Sequence, residues 1–221
     1  MTRETREARE KRASGVVLAG GQSRRMGRDK LALTVDGVPI LRRVYDALDE
    51  VCEEVVVVTV GDEEPVGLPD GARLARDMRP GGPGGGAAGA GPLAGLEAGL
   101  RQARYPAAFV AAGDMPYLSP GLVRETLRRL RAGGAHAVLP RYRGRREPLC
   151  AAYDAGALVA VGEALDAGVS AMRELIERLP EVEEIAEDEL RRFGEPELLL
   201  MNVNSPEDLA RARAVTGERD G

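Results

Sequence analysis

The chain has 221 residues, enough for one α/β domain with a substantial core and too few for two domains of ordinary size. Hydrophobic residues make up 43% but aromatics only 3%, with no Trp, so the core must be built from Ala, Val and Leu. The net charge is −5 and no stretch interleaves basic with aromatic side chains, which argues against nucleic acid as a partner.

Residues 1–13, MTRETREAREKRA, alternate acidic and basic side chains without an apolar stripe and read as a charged, flexible tail ahead of a single domain over 14–221. They hold no hydrophobic signal core, and no apolar run later approaches the ~20 residues of a membrane span, so no membrane association and a cytoplasmic location are expected. Cys52 and Cys150 have neither zinc-ligand nor CxxC spacing and read as packing residues in a reducing compartment.

From Ser14 onward strand and helix patterns alternate, which predicts an α/β fold with a doubly wound, mostly parallel sheet. Gly15 to Ala19 reads as a short buried strand ending in a glycine loop. Ile40, Leu41, Val44, Tyr45 and Leu48 lie at helical spacing, and Val55 to Val60 is a β-branched central strand. The run Gly81 to Gly91 is a low-complexity loop, followed by a helix marked by Leu93, Leu96 and Leu100 and a strand over Ala107 to Ala112. Ser119-Pro120 supplies an N-cap and N1 proline for a helix carrying Val123, Leu127 and Leu130. His136 to Arg141 and Pro148 to Tyr153 read as strands joined by a turn at Arg143-Gly144-Arg145. Helices near 157–167 and 170–179 follow, then a strand through Leu198 to Val203, and Ser205-Pro206-Glu207-Asp208 caps the last helix.

In open α/β sheets ligands bind beyond the carboxyl ends of the strands. The first such loop, Leu18-Ala19-Gly20-Gly21, lets backbone N–H groups approach a phosphate closely, and Arg24, Arg25 and Lys30 follow it. A Walker P-loop is excluded because Arg28 and Asp29 separate Gly27 from Lys30. Only Lys11 and Lys30 are lysine among 31 basic residues, so Lys30 stands out as a compact ammonium in an arginine-rich chain. The second loop, Gly113-Asp114-Met115-Pro116, puts a carboxylate where a buried strand ends; it can hold Mg²⁺ against phosphates or serve as a turn former. With one histidine, His136, and no GxSxG elbow, His-rich zinc sites and a Ser-His-Asp hydrolase are excluded. Catalysis must rest on carboxylates, Lys, Arg and metal.

Leu18-Ala19-Gly20-Gly21-Gln22-Ser23-Arg24-Arg25-Met26-Gly27 with Asp29-Lys30 resembles the signature of the MobA family, the molybdenum cofactor guanylyltransferases. Further blocks follow in family order: Asp77 and Pro80, Gly91-Pro92-Leu93-Ala94-Gly95-Leu96, Gly113-Asp114-Met115-Pro116, Glu147-Pro148-Leu149-Cys150, and Asn202-Val203-Asn204-Ser205-Pro206-Glu207-Asp208. The resemblance covers roughly residues 14 to 212 and implies a Rossmann-like nucleotidyltransferase fold. It implies GTP and the molybdopterin form of the molybdenum cofactor as substrates, with transient contact to cofactor-insertion proteins. GTP contacts by Leu18, Ala19, Gly20, Gly21, Lys30, Asp77 and Asp114 are implied, with Asp114 holding Mg²⁺. Arg25, Lys30 and the metal would stabilise charge on the leaving pyrophosphate.

Two features depart from the pattern: the glycine run lengthens the connection after Asp77, and Val58 or Thr59 stands where the family commonly has Asn. Asn202 and Asn204 either reach the metal or a phosphate, Asn204 preferably, or form a turn. Arg141, Arg143, Arg145 and Arg146 either meet the phosphate of the cofactor or form a solvated hairpin tip. The competing readings are a cytidylyltransferase of the same fold and a non-catalytic nucleotide-binding regulator. Gly20-Gly21, Asp29 and Met115 favour the guanylyl branch, and the pair Lys30 and Asp114 argues against a regulator.

Overall fold

The computed structural model of the chain describes residues 12–19, 33–60, 65–77 and 91–217. Ten strands occur among them: β1 (Ser14–Leu18), β2 (Thr34–Val35), β3 (Val38–Pro39), β4 (Glu54–Thr59), β5 (Arg73–Arg76), β6 (Ala107–Ala112), β7 (Ala137–Tyr142), β8 (Arg145–Arg146), β9 (Cys150–Asp154) and β10 (Val182–Ile185). The helices are α1 (Ile40–Asp49), α2 (Pro92–Gln102), α3 (Pro120–Ala132), α4 (Ala157–Asp166), α5 (Met172–Arg178), α6 (Glu187–Leu190), α7 (Pro196–Leu199) and α8 (Pro206–Thr216).

The main sheet runs β10-β7-β9-β6-β1-β4-β5, with β8 attached to β7. Along this path every pairing is parallel except those of β9, which runs antiparallel to both β6 and β7. The mostly parallel, doubly wound sheet expected from the alternating pattern is therefore present. From β1 the chain moves outward to β4 and β5, then crosses back to β6 on the other side of β1. Strand order thus reverses at the β1/β6 boundary, the place where such sheets open a crevice for ligands.

Alternation of side chains along β1 feeds two cores. Val17 joins Leu41, Val44 and Leu48 of α1 and Leu122 and Leu127 of α3 on one face. Val16 and Leu18 join Leu93, Leu96 and Leu100 of α2 on the other. On that second face a Cβ added at Gly99 would lie 2.3 Å from Val16 Cγ1 and 3.3 Å from Val58 Cγ2. Glycine there lets α2 approach the sheet closely. A third cluster binds the C-terminal segment to the body: Met201, Val203 and Ala212 pack with Val35 and Ile40. Among the described residues no helix is long and apolar enough to cross a membrane.

Several local expectations need correction or addition. Leu198 to Val203 does not form a strand; Pro196 opens the helical turn α7, and 201–204 run without regular structure. A short apolar run does not distinguish strand from helix, and the proline start favoured the turn. Ser119 occupies the N-cap of α3 but its hydroxyl makes no capping hydrogen bond. Ala13, placed in the tail by its sequence neighbours, is buried, and its carbonyl accepts from Glu53 N–H at 3.0 Å. The hairpin β2–β3 turns on Asp36 (φ 54°) and Gly37 (φ 70°), an Asp-Gly signal with both residues left-handed. At the last helix, Ser205 Oγ accepts from Asp208 N–H at 3.1 Å while Asp208 Oδ2 accepts from Ser205 N–H at 3.0 Å, as the motif predicts.

Candidate active site

Three strand ends converge on one rim because their registers are matched. Leu18 lies opposite Val58 of β4 and Ala112 of β6. The ladder continues past the strands: Ala19 N–H donates to Val58 O at 2.8 Å, Gly113 N–H to Leu18 O at 3.0 Å, and Asp77 N–H to Thr59 O at 3.1 Å. The backbone that follows each strand is therefore held by the sheet itself. Leu18, Ala19, Asp77 and Asp114 share the carboxyl-end rim as a consequence.

Asp114 lies one strand from the end of β1, and Asp77 lies two strands away on the opposite side. Three strand steps separate the two carboxylates, roughly 14 Å. Each turns one oxygen away from solvent, Oδ2 of Asp77 and Oδ1 of Asp114. A buried carboxylate oxygen favours a cation beside it. Thr59, at the end of β4, is buried, and its hydroxyl donates to the Ala75 carbonyl at 3.4 Å, so it serves the sheet.

The C-terminal segment completes the rim. Val203 N–H donates to the Asp114 carbonyl at 2.9 Å, which brings Asn202-Val203-Asn204 against the Asp114 loop although about ninety positions separate them in the chain. Asn204 is exposed, and its backbone N–H donates to Asp208 Oδ2 at 3.0 Å. Burial works against the Asp208 carboxylate, but hydrogen bonds from the Asn204 and Ser205 backbones and the Ser205 hydroxyl outweigh it and hold its pKa low. Asn202 Nδ2 donates to Leu200 O at 3.2 Å. Tyr117, three residues past Asp114, donates its hydroxyl to the Ala212 carbonyl and ties the same loop to α8. Composition gave no sign of this contact, because it depends on where α8 packs.

Gly20, Gly21, Arg24, Arg25 and Lys30 lie outside the described residues, as do 81–90 of the glycine run. Among the described residues no group of three or more His, Cys, Asp or Glu side chains could hold a metal ion by itself. The lone histidine sits far from the rim: His136 Nδ1 is 3.0 Å from Asp154 Oδ1, at the end of β9 where the amino end of β6 lies. A cavity of about 370 Å³ opens at that same pole, lined by Leu100, Arg101, Tyr105 and Asp154. Its charged groups are already committed, Arg101 to Glu97 at 2.9 Å and Asp154 to His136. Both cysteines are buried, and burial pushes the Cys150 thiol far up, consistent with packing.

Residues 15–183 match the model of the MobA-like NTP transferase domain. A protein of Pelotomaculum thermopropionicum, described as a probable molybdenum cofactor guanylyltransferase, is 36% identical over 203 residues, spanning 92% of this chain and 93% of its own. A molybdenum cofactor guanylyltransferase of Desulfosudis oleivorans is 30% identical over 209 residues, covering 91% and 94% of the two chains. Among solved structures, molybdopterin-guanine dinucleotide biosynthesis protein A from Archaeoglobus fulgidus superposes with a TM-score of 0.77 at 26% identity, over 93% of this chain and all of that one.

Proposed function

The chain belongs to the MobA-like NTP transferase family, a family of nucleotidyltransferases, and from that membership we propose that it transfers GMP from GTP to the phosphate of molybdopterin cofactor, releasing pyrophosphate. The observation that carries this reading is the position of Asp114. It stands one strand from the end of β1, at the reversal of strand order, with the Asn202–Asn204 segment anchored against it.

In this reading Leu18, Ala19, Gly20 and Gly21 cradle the nucleotide through their backbone, and Asp77 contacts it from the β5 side. The cofactor's phosphate attacks the α-phosphorus of GTP in line: the new P–O bond forms as the bond to the leaving pyrophosphate breaks. Lys30 and Arg25 stabilise the charge that builds on the pyrophosphate. No general base is required, because a phosphate nucleophile is already ionised. The rim fits Mg²⁺ in its donor chemistry: Asp114 offers a hard carboxylate with one oxygen buried at a strand end, and Asn204 a carbonyl oxygen from the facing segment. Bound by these two residues, the ion would neutralise charge on the triphosphate.

Pyrophosphate release measured with GTP, CTP, ATP and UTP, each with Mg²⁺ and molybdopterin, tests the assignment. Release with GTP alone is expected. Release with CTP in preference to GTP overturns the guanylyl assignment, and nucleotide binding without release overturns transfer.

A further inference from the structure

The four arginines around the β7–β8 hairpin have separate fates. Arg141 and Arg146 both reach Glu184, at 3.2 and 2.7 Å, on one face of the hairpin. Arg143 lies 5.0 Å over the Tyr142 ring and donates to Glu197 at 3.3 Å. The other face carries Tyr142, Arg145 and Glu147. Tyr142 pairs with Arg145 in register, and Glu147 N–H donates to Pro140 O at 3.0 Å, so side-chain alternation puts all three on the same side.

Glu147 is partly buried, and its carboxylate accepts no hydrogen bond and forms no ion pair with any described residue. Burial pushes its pKa up, and the charge of Arg145 works the other way. Among the described residues its oxygens are not buried acceptors like those of Asp77 and Asp114, so a half-buried carboxylate with both acceptor oxygens uncommitted is open to a ligand's donors. Its place shows which ligand. The segment it opens runs along the active-site rim: the carbonyl of Leu149 accepts from Ala112 N–H at 2.9 Å, directly before Gly113-Asp114. Glu147 therefore stands on the β9 side of Asp114, away from β1, β4 and β5. With the nucleotide over the β1 loop and Asp77, this is the acceptor's side of the transfer point.

We propose that Glu147 is a specificity residue for the acceptor, taking a planar heterocycle that presents an exocyclic amino group beside a ring N–H. The two carboxylate oxygens would accept both hydrogens in parallel. Resting on the function proposed above, the heterocycle is the acceptor's pterin. Guanine carries the same donor edge, and the test separates the two sources.

The probes are pterin-6-carboxylate and lumazine-6-carboxylate, which differ in an amino group replaced by an oxo group. Binding is followed by the fluorescence of the heterocycle, so it is readable without turnover. The wild-type chain should prefer the pterin by about tenfold or more, worth about 1.4 kcal/mol or more. Glu147→Gln should erase that preference, raise KM for molybdopterin by about tenfold and leave the KM for GTP and Tm unchanged. Glu147→Asp should retain part of the preference. Equal discrimination by wild type and Glu147→Gln overturns the proposal, as does a rise confined to the KM for GTP, which would assign the carboxylate to guanine. A joint loss of Tm and both substrates also overturns it, as the mark of a merely structural role. Failure of the wild type to use GTP and molybdopterin, with pterin selectivity intact, would instead refute the proposed transfer.

Discussion

Asp77 and Asp114 occupy similar places, just beyond parallel strands, yet only Asp114 adjoins both the end of β1 and the C-terminal segment. That difference predicts different penalties. Asp114→Ala should lower kcat by about a hundredfold or more, as loss of a charge-stabilising contact in the transition state does, while weakening GTP binding only partly. Steady-state kinetics and calorimetric titration with GTP and Mg²⁺ measure the two effects; unchanged kcat would remove Asp114 from the reaction. At this scale the sequence was informative where a residue type and a loop position coincided, as for Asp114 after the apolar Ala107 run. It was silent about Val203, which meets Asp114 through its backbone, and about a role for Glu147, whose segment reaches the Asp114 loop through the Ala112 N–H to Leu149 carbonyl hydrogen bond. Arg141, Arg143 and Arg146 looked alike in sequence, but Arg141 and Arg146 reach Glu184 and Arg143 reaches Glu197, partners that come from distant segments.

Elements are positioned by close approach and by charge. The contact of Gly99 with Val16 predicts that Gly99→Ala forces α2 away from the central strand and costs about 1–3 kcal/mol. Combining it with Val16→Ala should recover part of that loss, giving a non-additive double-mutant cycle in denaturant unfolding; strict additivity would show that the two do not meet. On the opposite face Arg129 of α3 ties three acidic residues together: Glu125 at 2.9 Å, Glu183 of β10 at 3.4 Å and Glu189 of α6. Hydrogen bonds from Arg128, and then from Arg129, outweigh the opposing effect of burial and hold the Glu125 pKa at about 2. A folded-state pKa below the unfolded one adds stability above the ordinary carboxylate range, and this is lost as pH falls through about 4.5 toward about 2. Glu125→Gln should therefore cost about 1 kcal/mol near neutral pH, with the gap closing in that acid window. A gap that does not change with pH would exclude the ion pairs as its cause. The long helices and buried strands were legible from periodicity, whereas β5 and β10, four residues each with few apolar positions, carried too little pattern to be seen.

At the level of the whole molecule the rim proposed as the site draws on both ends of the chain. The family match ends at residue 183, but Val203 and α8 lie beyond it and pack on Val35 and Ile40. Arg213 Nε adds a hydrogen bond to Thr34 O at 3.1 Å. The C-terminal segment thus fixes the Asp114 loop and the exit of the glycine loop together. The doubly wound sheet was foreseeable from alternating strands and helices, while the packing of α8 was not, since long-range contacts leave no local pattern. In the proposed reaction the α-phosphate of GTP becomes bonded to the acceptor's phosphate. The most direct measurement follows radiolabel from α-labelled and γ-labelled GTP in reactions with Mg²⁺ and molybdopterin. The α-label should appear in a pterin-containing dinucleotide and the γ-label in pyrophosphate. Label from CTP in the dinucleotide, or γ-label released as free orthophosphate with no dinucleotide formed, would contradict it.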